Sequence, residues 1–141
     1  MPPSAASADK QSAIASALNC ARTCFEMATT HCLKLGGKHA EAEHIGLMLN
    51  CAALCETTAK FLITDSPMQG RVSGVCAEVC QECARSCERV GDMNDCVDAC
   101  RACAADCARL SSMGTDAGAR ERDSFEHPDT GVSGGPARQG I

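Results

Sequence analysis

The sequence predicts an all-α fold, an antiparallel up-down-up-down four-helix bundle with a cysteine-lined core. Four helix-forming stretches are separated by short breaks, strand signals are almost absent, and cysteines recur at helical spacing. Short connections favour antiparallel neighbours. We expect one bundle domain over residues 1–113. A tail over residues 114–141, with six glycines and two prolines, has little tendency to order.

Glycine and proline mark the expected helix ends. Gly36 and Gly91 follow the first and third stretches, and glycine after the last helical residue is a common stop signal. Pro67 suits the first position of the third helix, and Asp92 can cap the fourth. We therefore expect helices at about residues 7–35, 38–63, 67–90 and 93–112.

Composition and charge limit the partners. The formal net charge of −5 argues against nucleic acid or an anionic membrane surface. No 18-residue apolar stretch is present, so we expect no transmembrane helix. The first residues lack a basic segment followed by an apolar run, so we expect no signal peptide and a cytoplasmic location.

Thirteen cysteines dominate the composition. Their number is odd, so disulfide pairing within one chain would leave at least one thiol unpaired. In a reducing cytoplasm the thiols stay reduced. Such a dense cysteine pattern then indicates metal binding or catalysis rather than disulfide bonds.

The cysteines of the third and fourth helices fall on one face of each helix. In both helices they follow one another at spacings of 4, 3 and 4 residues. At 100° per residue these positions lie within about 60° of arc, on the stripe that faces the core of a bundle. They are Cys76, Cys80, Cys83 and Cys87 in the third helix, and Cys96, Cys100, Cys103 and Cys107 in the fourth.

The first two helices repeat this spacing with mixed side chains. Their stripes consist of Cys20, Cys24, Met27 and His31 in the first helix, and His44, Met48, Cys51 and Cys55 in the second. Cys32 is expected about 100° from His31, at the edge of the stripe. The four stripes together would line the bundle axis with sulfur.

Thiolate is a soft ligand that selects Cu(I), zinc or iron–sulfur clusters. A structural zinc site is one closed tetrahedron of separated ligands, whereas these stripes form a continuous tube. Cu(I) suits such a tube because two thiolates suffice for one ion and each sulfur can bridge two ions. About 13 Cu(I) would then balance 13 thiolates, which keeps the buried core near neutral.

The order of side chains along the stripes predicts an entrance. An antiparallel bundle gathers the end of the first stripe and the start of the second at one end. Neutral thioether and imidazole hold Cu(I) less firmly than thiolate, so ions could be captured there and passed inward. The candidate entrance ligands are Met27, His31, His44 and Met48. The residues expected at the same end are Cys32, Cys87, Cys96, Met93 and His39, the last two without an assigned role.

The bundle is expected to fold without metal, because free cysteine packs as a small hydrophobe. Apolar residues around the stripes would complete the packing. These residues are Leu18, Phe25, Leu54, Leu62, Val75 and Val79.

The cysteine motifs are similar to those of one bacterial protein family. The segments CARTCFEM and CAALC and the paired C-x3-C-x2-C-x3-C stripes resemble the bacterial copper storage proteins, cysteine-lined four-helix bundles that hold many Cu(I) ions. The resemblance covers about residues 10–112. It implies Cu(I) storage through thiolates and a homotetramer. The candidate metal ligands are Cys20, Cys24, Cys32, Cys51, Cys55, Cys76, Cys80, Cys83, Cys87, Cys96, Cys100, Cys103 and Cys107.

Several alternatives remain open. The chain could be a metallothionein-like protein that sequesters zinc or cadmium, with fewer ions than cysteines. It could carry an iron–sulfur cluster, although ferredoxin motifs use C-x2-C-x2-C-x3-C followed by proline on loops. It could also be a bundle whose small core residues are cysteine. Redox catalysis needs one exposed thiol of low pKa rather than a buried row, so we expect no enzymatic activity.

Overall fold

The chain forms four long helices, described by a computed structural model over residues 5–113. No strand occurs within that range. The expected tail after residue 113 lies outside the described residues. The all-α prediction is therefore confirmed for the bundle, whose helices are α1 (Ala5–Met27), α2 (Ala42–Ile63), α3 (Gln69–Val90) and α4 (Asn94–Met113).

The helices form a closed antiparallel ring. Each packs on the next in the sequence, and α4 packs back on α1. Lys10, near the start of α1, forms an ion pair with Asp65 just after α2, so these two helices run in opposite directions. Gly74 near the start of α3 lies against Ser111 near the end of α4. A Cβ at position 74 would come within 2.7 Å of the Ser111 hydroxyl, so glycine permits this close approach.

The first helix changes its geometry before it ends. After Met27 the chain forms a π-helix over Ala28–Cys32 and a last turn over Leu33–Leu35. The Leu33 N–H donates to the Ala28 carbonyl five residues earlier, the hydrogen bond that defines a π-helix. The helix stops at Gly36, which has φ of +71°. The predicted end was correct, but the predicted continuous α-helix was not.

Two threonine hydroxyls support the entry into the π-helix. Thr29 donates to the Phe25 carbonyl at 2.9 Å, and Thr30 donates to the Glu26 carbonyl at 2.7 Å. Such side-chain bonds compete with the regular backbone ladder and accompany distortions of helices. The two hydroxyls give the Phe25 and Glu26 carbonyl groups hydrogen-bond partners where the wider turn begins.

Three predicted helix starts require correction. Residues Gly37–Ala40 form a 3-10 turn, so α2 begins at Ala42 rather than at residue 38. The third helix begins at Gln69, two residues after Pro67. Asp92 does not cap α4 because its φ is +58°, while the Met93 carbonyl accepts the Val97 N–H at 3.0 Å. Met93 thus occupies the N-cap position.

The core consists mainly of cysteine and alanine, with large aliphatic residues mainly at one end. Leu62 is buried as predicted and packs with Ala13 and Leu110 at the end opposite the start of α2. Leu54 and Val79 are partly buried against the cysteines. The prediction was wrong for Leu18, Phe25 and Val75, which are 46%, 58% and 53% exposed.

Helix α2 is long and apolar enough to cross a membrane by length and composition alone, with mean hydropathy of 1.2 over its best 18-residue window. No apolar segment of this kind was expected. A helix that packs within a protein core meets the same criterion, and α2 buries His44, Met48, Cys51 and Cys55 in the bundle.

Candidate metal centre

Every cysteine of the chain is a free thiol with no solvent exposure. Regular α-helical spacing puts the cysteines of α2, α3 and α4 on the faces that meet at the bundle axis. We call the twelve cysteines other than Cys32 the thiol column. The structure thus buries every cysteine that the sequence placed on the four stripes.

Cys55 lies among thiols from three helices. Its Sγ is 3.4 Å from Cys80 Sγ, 3.7 Å from both Cys76 Sγ and Cys103 Sγ, and 4.0 Å from Cys51 Sγ. These separations are within reach of sulfur hydrogen bonds. They also permit neighbouring sulfurs to share a metal ion.

A second group surrounds Cys20. Its Sγ is 3.7 Å from Cys100, 3.8 Å from Cys24 and 3.9 Å from Cys51. Cys24 and Cys100 are 3.5 Å apart. Cys51 also lies 3.7 Å from Cys80, so this group joins the one around Cys55 without a gap.

Three sets of thiols in the described chain have all their sulfurs within 4.8 Å of one another, and the sets overlap. Cys20 belongs to the first and second sets, and Cys103 to the second and third. The nine thiols of these sets therefore form one connected array rather than separate closed sites. The sets are Cys20, Cys24, Cys51 and Cys100; Cys20, Cys55, Cys80 and Cys103; and Cys76, Cys103 and Cys107.

The column continues towards the end where α1 finishes and α2 begins. Cys83 and Cys87 on α3 and Cys96 on α4 are fully buried there, and the Cys83 and Cys96 thiols influence the pKa of Cys87. The Cys96 thiol also approaches the Thr23 carbonyl at 3.9 Å. Beyond these residues the ligands change from thiols alone to a mixed set.

Cys32 is the centre of that mixed set, which we call the mouth cluster: Cys32, His44, Met48 and Met93. Cys32 Sγ is 3.5 Å from His44 Nε2, 3.8 Å from Met48 Sδ and 3.5 Å from Met93 Sδ. All four side chains are buried. The arrangement offers one thiol, one imidazole and two thioethers around one point.

The π-helix places Cys32 in this cluster. In a regular α-helix Cys32 would lie at the edge of the stripe and His31 would face the core. The wider π turn instead keeps Cys24, Ala28 and Cys32, spaced by four residues, on the buried face. The predicted offset of Cys32 was therefore wrong, and His31 is displaced from the stripe.

Two of the predicted entrance residues lie outside the cluster. Met27 is partly buried and packs against the core. The His31 side chain is 28% exposed, and its Nε2 lies 3.0 Å from the Asp92 carbonyl oxygen. Met93, which the sequence placed at this end without an assigned role, takes part in the cluster.

His44 is held by a second hydrogen bond. Its Nδ1 is 2.7 Å from the Ser86 hydroxyl on α3, and its Nε2 faces Cys32. Burial lowers the pKa of His44, which favours the neutral imidazole that metals require. A hydrogen bond at the remote ring nitrogen is the usual way to orient a metal-binding histidine.

Hydrogen bonds between thiols give the column cysteines different pKa values. Hydrogen bonding with Cys103, reinforced by burial, raises the pKa of Cys55. Hydrogen bonding with Cys100 lowers the pKa of Cys51, since neighbouring thiols stabilise a single thiolate by donating to it. Metal binding must therefore displace protons from most of the column.

The same contrast occurs near the mouth. Hydrogen bonds from Cys83 and Cys96 lower the pKa of Cys87 to about 4. Burial, with a smaller effect of the Cys87 charge, raises the pKa of Cys32 to about 11. Cys87 is thus the more acidic of these two thiols, and Cys32 remains protonated at neutral pH.

The known proteins that this chain resembles include a family, a solved structure and a curated relative. Residues 6–112 match the family described as copper storage protein. The Nmul_A1745 protein from Nitrosospira multiformis, known from a crystal structure, is 44% identical with a TM-score of 0.74, and the match covers 76% of this chain and 98% of that one. The cysteine-rich protein YhjQ of Bacillus subtilis is 29% identical over 77 residues, which cover 55% of this chain and 70% of YhjQ.

The raised pKa of Cys32 predicts a pH dependence of stability. A thiol whose folded pKa lies above its unfolded value stabilises the fold below pH of about 9, and this contribution is lost as the pH rises towards about 11. Chemical denaturation of reduced, metal-free protein should show a falling free energy of unfolding over that window. In Cys32→Ala the fall should be shallower, by at most about 1.4 kcal/mol per pH unit. An identical slope in parent and variant would contradict the burial of a protonated Cys32.

Proposed function

The chain belongs to the copper storage protein family, and from this premise we propose that it stores many Cu(I) ions on the thiolates of its core. The observation that supports this proposal is the single connected column of buried, free thiols. A column needs no separate site for each ion, since one sulfur can bridge two ions. The protein would act as a binding protein rather than an enzyme, either as a copper reserve or as protection against free Cu(I).

The proposed ligands are the thirteen cysteines, and charge balance sets the expected capacity. Burying uncompensated thiolates is costly, so each proton that leaves the column must be replaced by positive charge. One Cu(I) replaces one proton, which predicts roughly one ion per cysteine. Free thiols also require reducing surroundings, which supports the cytoplasm as the location.

Zinc is the second candidate, and the sulfur spacing favours it. With metal–sulfur bonds of about 2.3 Å, tetrahedral ligands lie about 3.8 Å apart and linear ligands about 4.6 Å apart. The thiol contacts of 3.4 to 4.0 Å match tetrahedral edges, so a linear S–Cu(I)–S unit needs neighbouring sulfurs to move apart by roughly 1 Å. Charge balance limits the number of divalent ions per chain to about half the number of Cu(I) ions.

An anaerobic titration separates these candidates. Reduced protein is titrated with Cu(I) in the presence of a chromogenic Cu(I) chelator, and the ions withheld from the chelator are counted. We expect tight uptake of about ten or more ions per chain, because nearly every thiolate takes part in a neutral array. A parallel zinc titration should saturate near half that number.

Saturation with Cu(I) at one to four ions would contradict storage by the whole column. A further test is Cys55→Ser/Cys103→Ser, which interrupts the column between its overlapping sets and changes the size of the side chains little. This variant should lose more than the two ions that one ion per cysteine predicts, since each sulfur serves several neighbours.

The mouth cluster is the proposed entrance. Its thioethers and imidazole bind Cu(I) without losing a proton, and Cys32 leads on to the Cys87 thiolate. We therefore assign capture to Cys32, His44, Met48 and Met93. Met27 and His31, which the stripe pattern included, lie outside the group.

A stopped-flow loading experiment tests this assignment. In His44→Ala/Met48→Ala, Cu(I) uptake should be severalfold slower, because two neutral ligands ahead of the thiolates are removed, while most of the capacity remains. Leu62→Ala, which leaves a cavity at the opposite end, is the matched control and should load at the parental rate. Equal rates in both variants would refute the entrance.

Self-association into the homotetramer that the resemblance implies is part of the same proposal. An exposed apolar face between α1 and α2 supports it. Leu18, Phe25 and Leu49 are 46%, 58% and 37% exposed there. Arg22 on α1 and Glu56 on α2 flank this face, so two copies related by a two-fold axis could pair them reciprocally.

Sedimentation equilibrium tests the interface. Phe25→Glu places a charge in the apolar face and should shift the protein to smaller species. Val75→Glu replaces an equally exposed residue on α3 and should leave the mass unchanged. A monomeric parent, or a larger effect at position 75, would contradict this interface.

A further inference from the structure

Two histidines outside the mouth cluster bind the connection between α3 and α4: His31 from the π-helix and His39 from the 3-10 turn Gly37–Ala40. His31 Nε2 is 3.0 Å from the Asp92 carbonyl oxygen, and His39 Nε2 is 2.8 Å from the Gly91 carbonyl oxygen. A carbonyl oxygen only accepts, so each Nε2 donates its hydrogen. The two rings meet edge to face, with 5.7 Å between their centroids.

The segment that these histidines hold has an unusual backbone. Gly91 and Asp92 have φ of +80° and +58°. Aspartate tolerates a left-handed conformation better than most residues other than glycine, and surrounding contacts can stabilise it further. The two histidine hydrogen bonds, to consecutive carbonyl groups, are such contacts.

Sequence adjacency connects this segment to the mouth cluster. His31 directly precedes Cys32, and Asp92 directly precedes Met93. Met93 is 1% exposed, and its sulfur lies 3.5 Å from that of Cys32. The same bonds that fix the turn therefore fix the thioether that covers Cys32.

We propose that His31 and His39 form a clasp, two positioning residues that hold residues 91–93 against the end of α1 and keep Met93 over Cys32. Release of the clasp uncovers Cys32, and with it the route to Cys87. His31 then acts through a backbone carbonyl rather than as a ligand. The consequence for copper exchange rests on the proposed function, whereas the consequence for access to Cys32 does not.

Thiol labelling of the metal-free protein tests the clasp directly. His31→Phe/His39→Phe keeps both rings and removes both donors. Reduced protein is exposed to a maleimide, and labelling of each cysteine is followed by peptide mass spectrometry. We expect Cys32 to react roughly tenfold faster than in the parent. Cys107, at the opposite end, should react at the parental rate.

Two labelling results would overturn the clasp. Unchanged labelling of Cys32 would mean that the histidines do not cover it. Equal acceleration at Cys107 would indicate general loss of stability instead of local opening. The single variants each remove one bond and should give part of the acceleration, so the test does not depend on folding of the double variant. Lys34→Phe, which adds a ring at an exposed position nearby, is the control for added apolar surface.

Copper transfer completes the test. After Cu(I) loading, the double variant should release copper to a chelator faster than the parent. Slower release with unchanged Cys32 labelling would make His31 a ligand and overturn the clasp. Faster Cys32 labelling in a chain that binds no Cu(I) would leave the clasp standing and refute the storage proposal.

Discussion

Contact between thiol groups along the bundle axis is the constraint on which the rest of the structure depends. Cysteine is small, so the helices must approach closely for the sulfurs of four helices to meet. Gly74 opposite Ser111, and alanines such as Ala84 and Ala104 beside the column, satisfy that requirement. The aliphatic core of an ordinary bundle is reduced to a cluster around Leu62 at one end. Dispersion between polarizable sulfurs and alanine methyl groups provides the packing instead.

The two ends of the column differ in chemistry because they differ in backbone. At the Leu62 end, regular helices present thiols and apolar residues, together with the buried hydroxyls of Thr58 and Ser73. At the other end the π-helix and the left-handed turn at residues 91–92 bring in groups that regular helices do not place together. Distortions of this kind cost stability and often accompany functional sites. Here they gather an imidazole and two thioethers around Cys32.

Helical periodicity was sufficient to predict the column from the sequence, because a 4-3-4 spacing fixes which face a side chain occupies. It failed at Cys32, where the register depends on the hydrogen bond from Leu33 to Ala28. The buried spacing of Cys24, Ala28 and Cys32, with two threonines between them, is the one signal that could have indicated this. It also failed for Phe25. This residue lies about 100° from Cys24 around the helix, and the core that Cys24 faces is already filled by sulfur. Asp92 was misplaced because sequence does not reveal a left-handed turn held by distant histidines.

The central claim is that metal ions occupy one continuous sulfur array. Anomalous diffraction at the copper absorption edge, from crystals loaded with Cu(I) under anaerobic conditions, tests it most directly. We expect a file of copper peaks along the bundle axis from the Cys76 and Cys107 end to Cys32, each bound mainly by two cysteine sulfurs shared with neighbouring ions. A few isolated peaks with closed tetrahedral ligands, or copper on the surface of the bundle, would contradict the account.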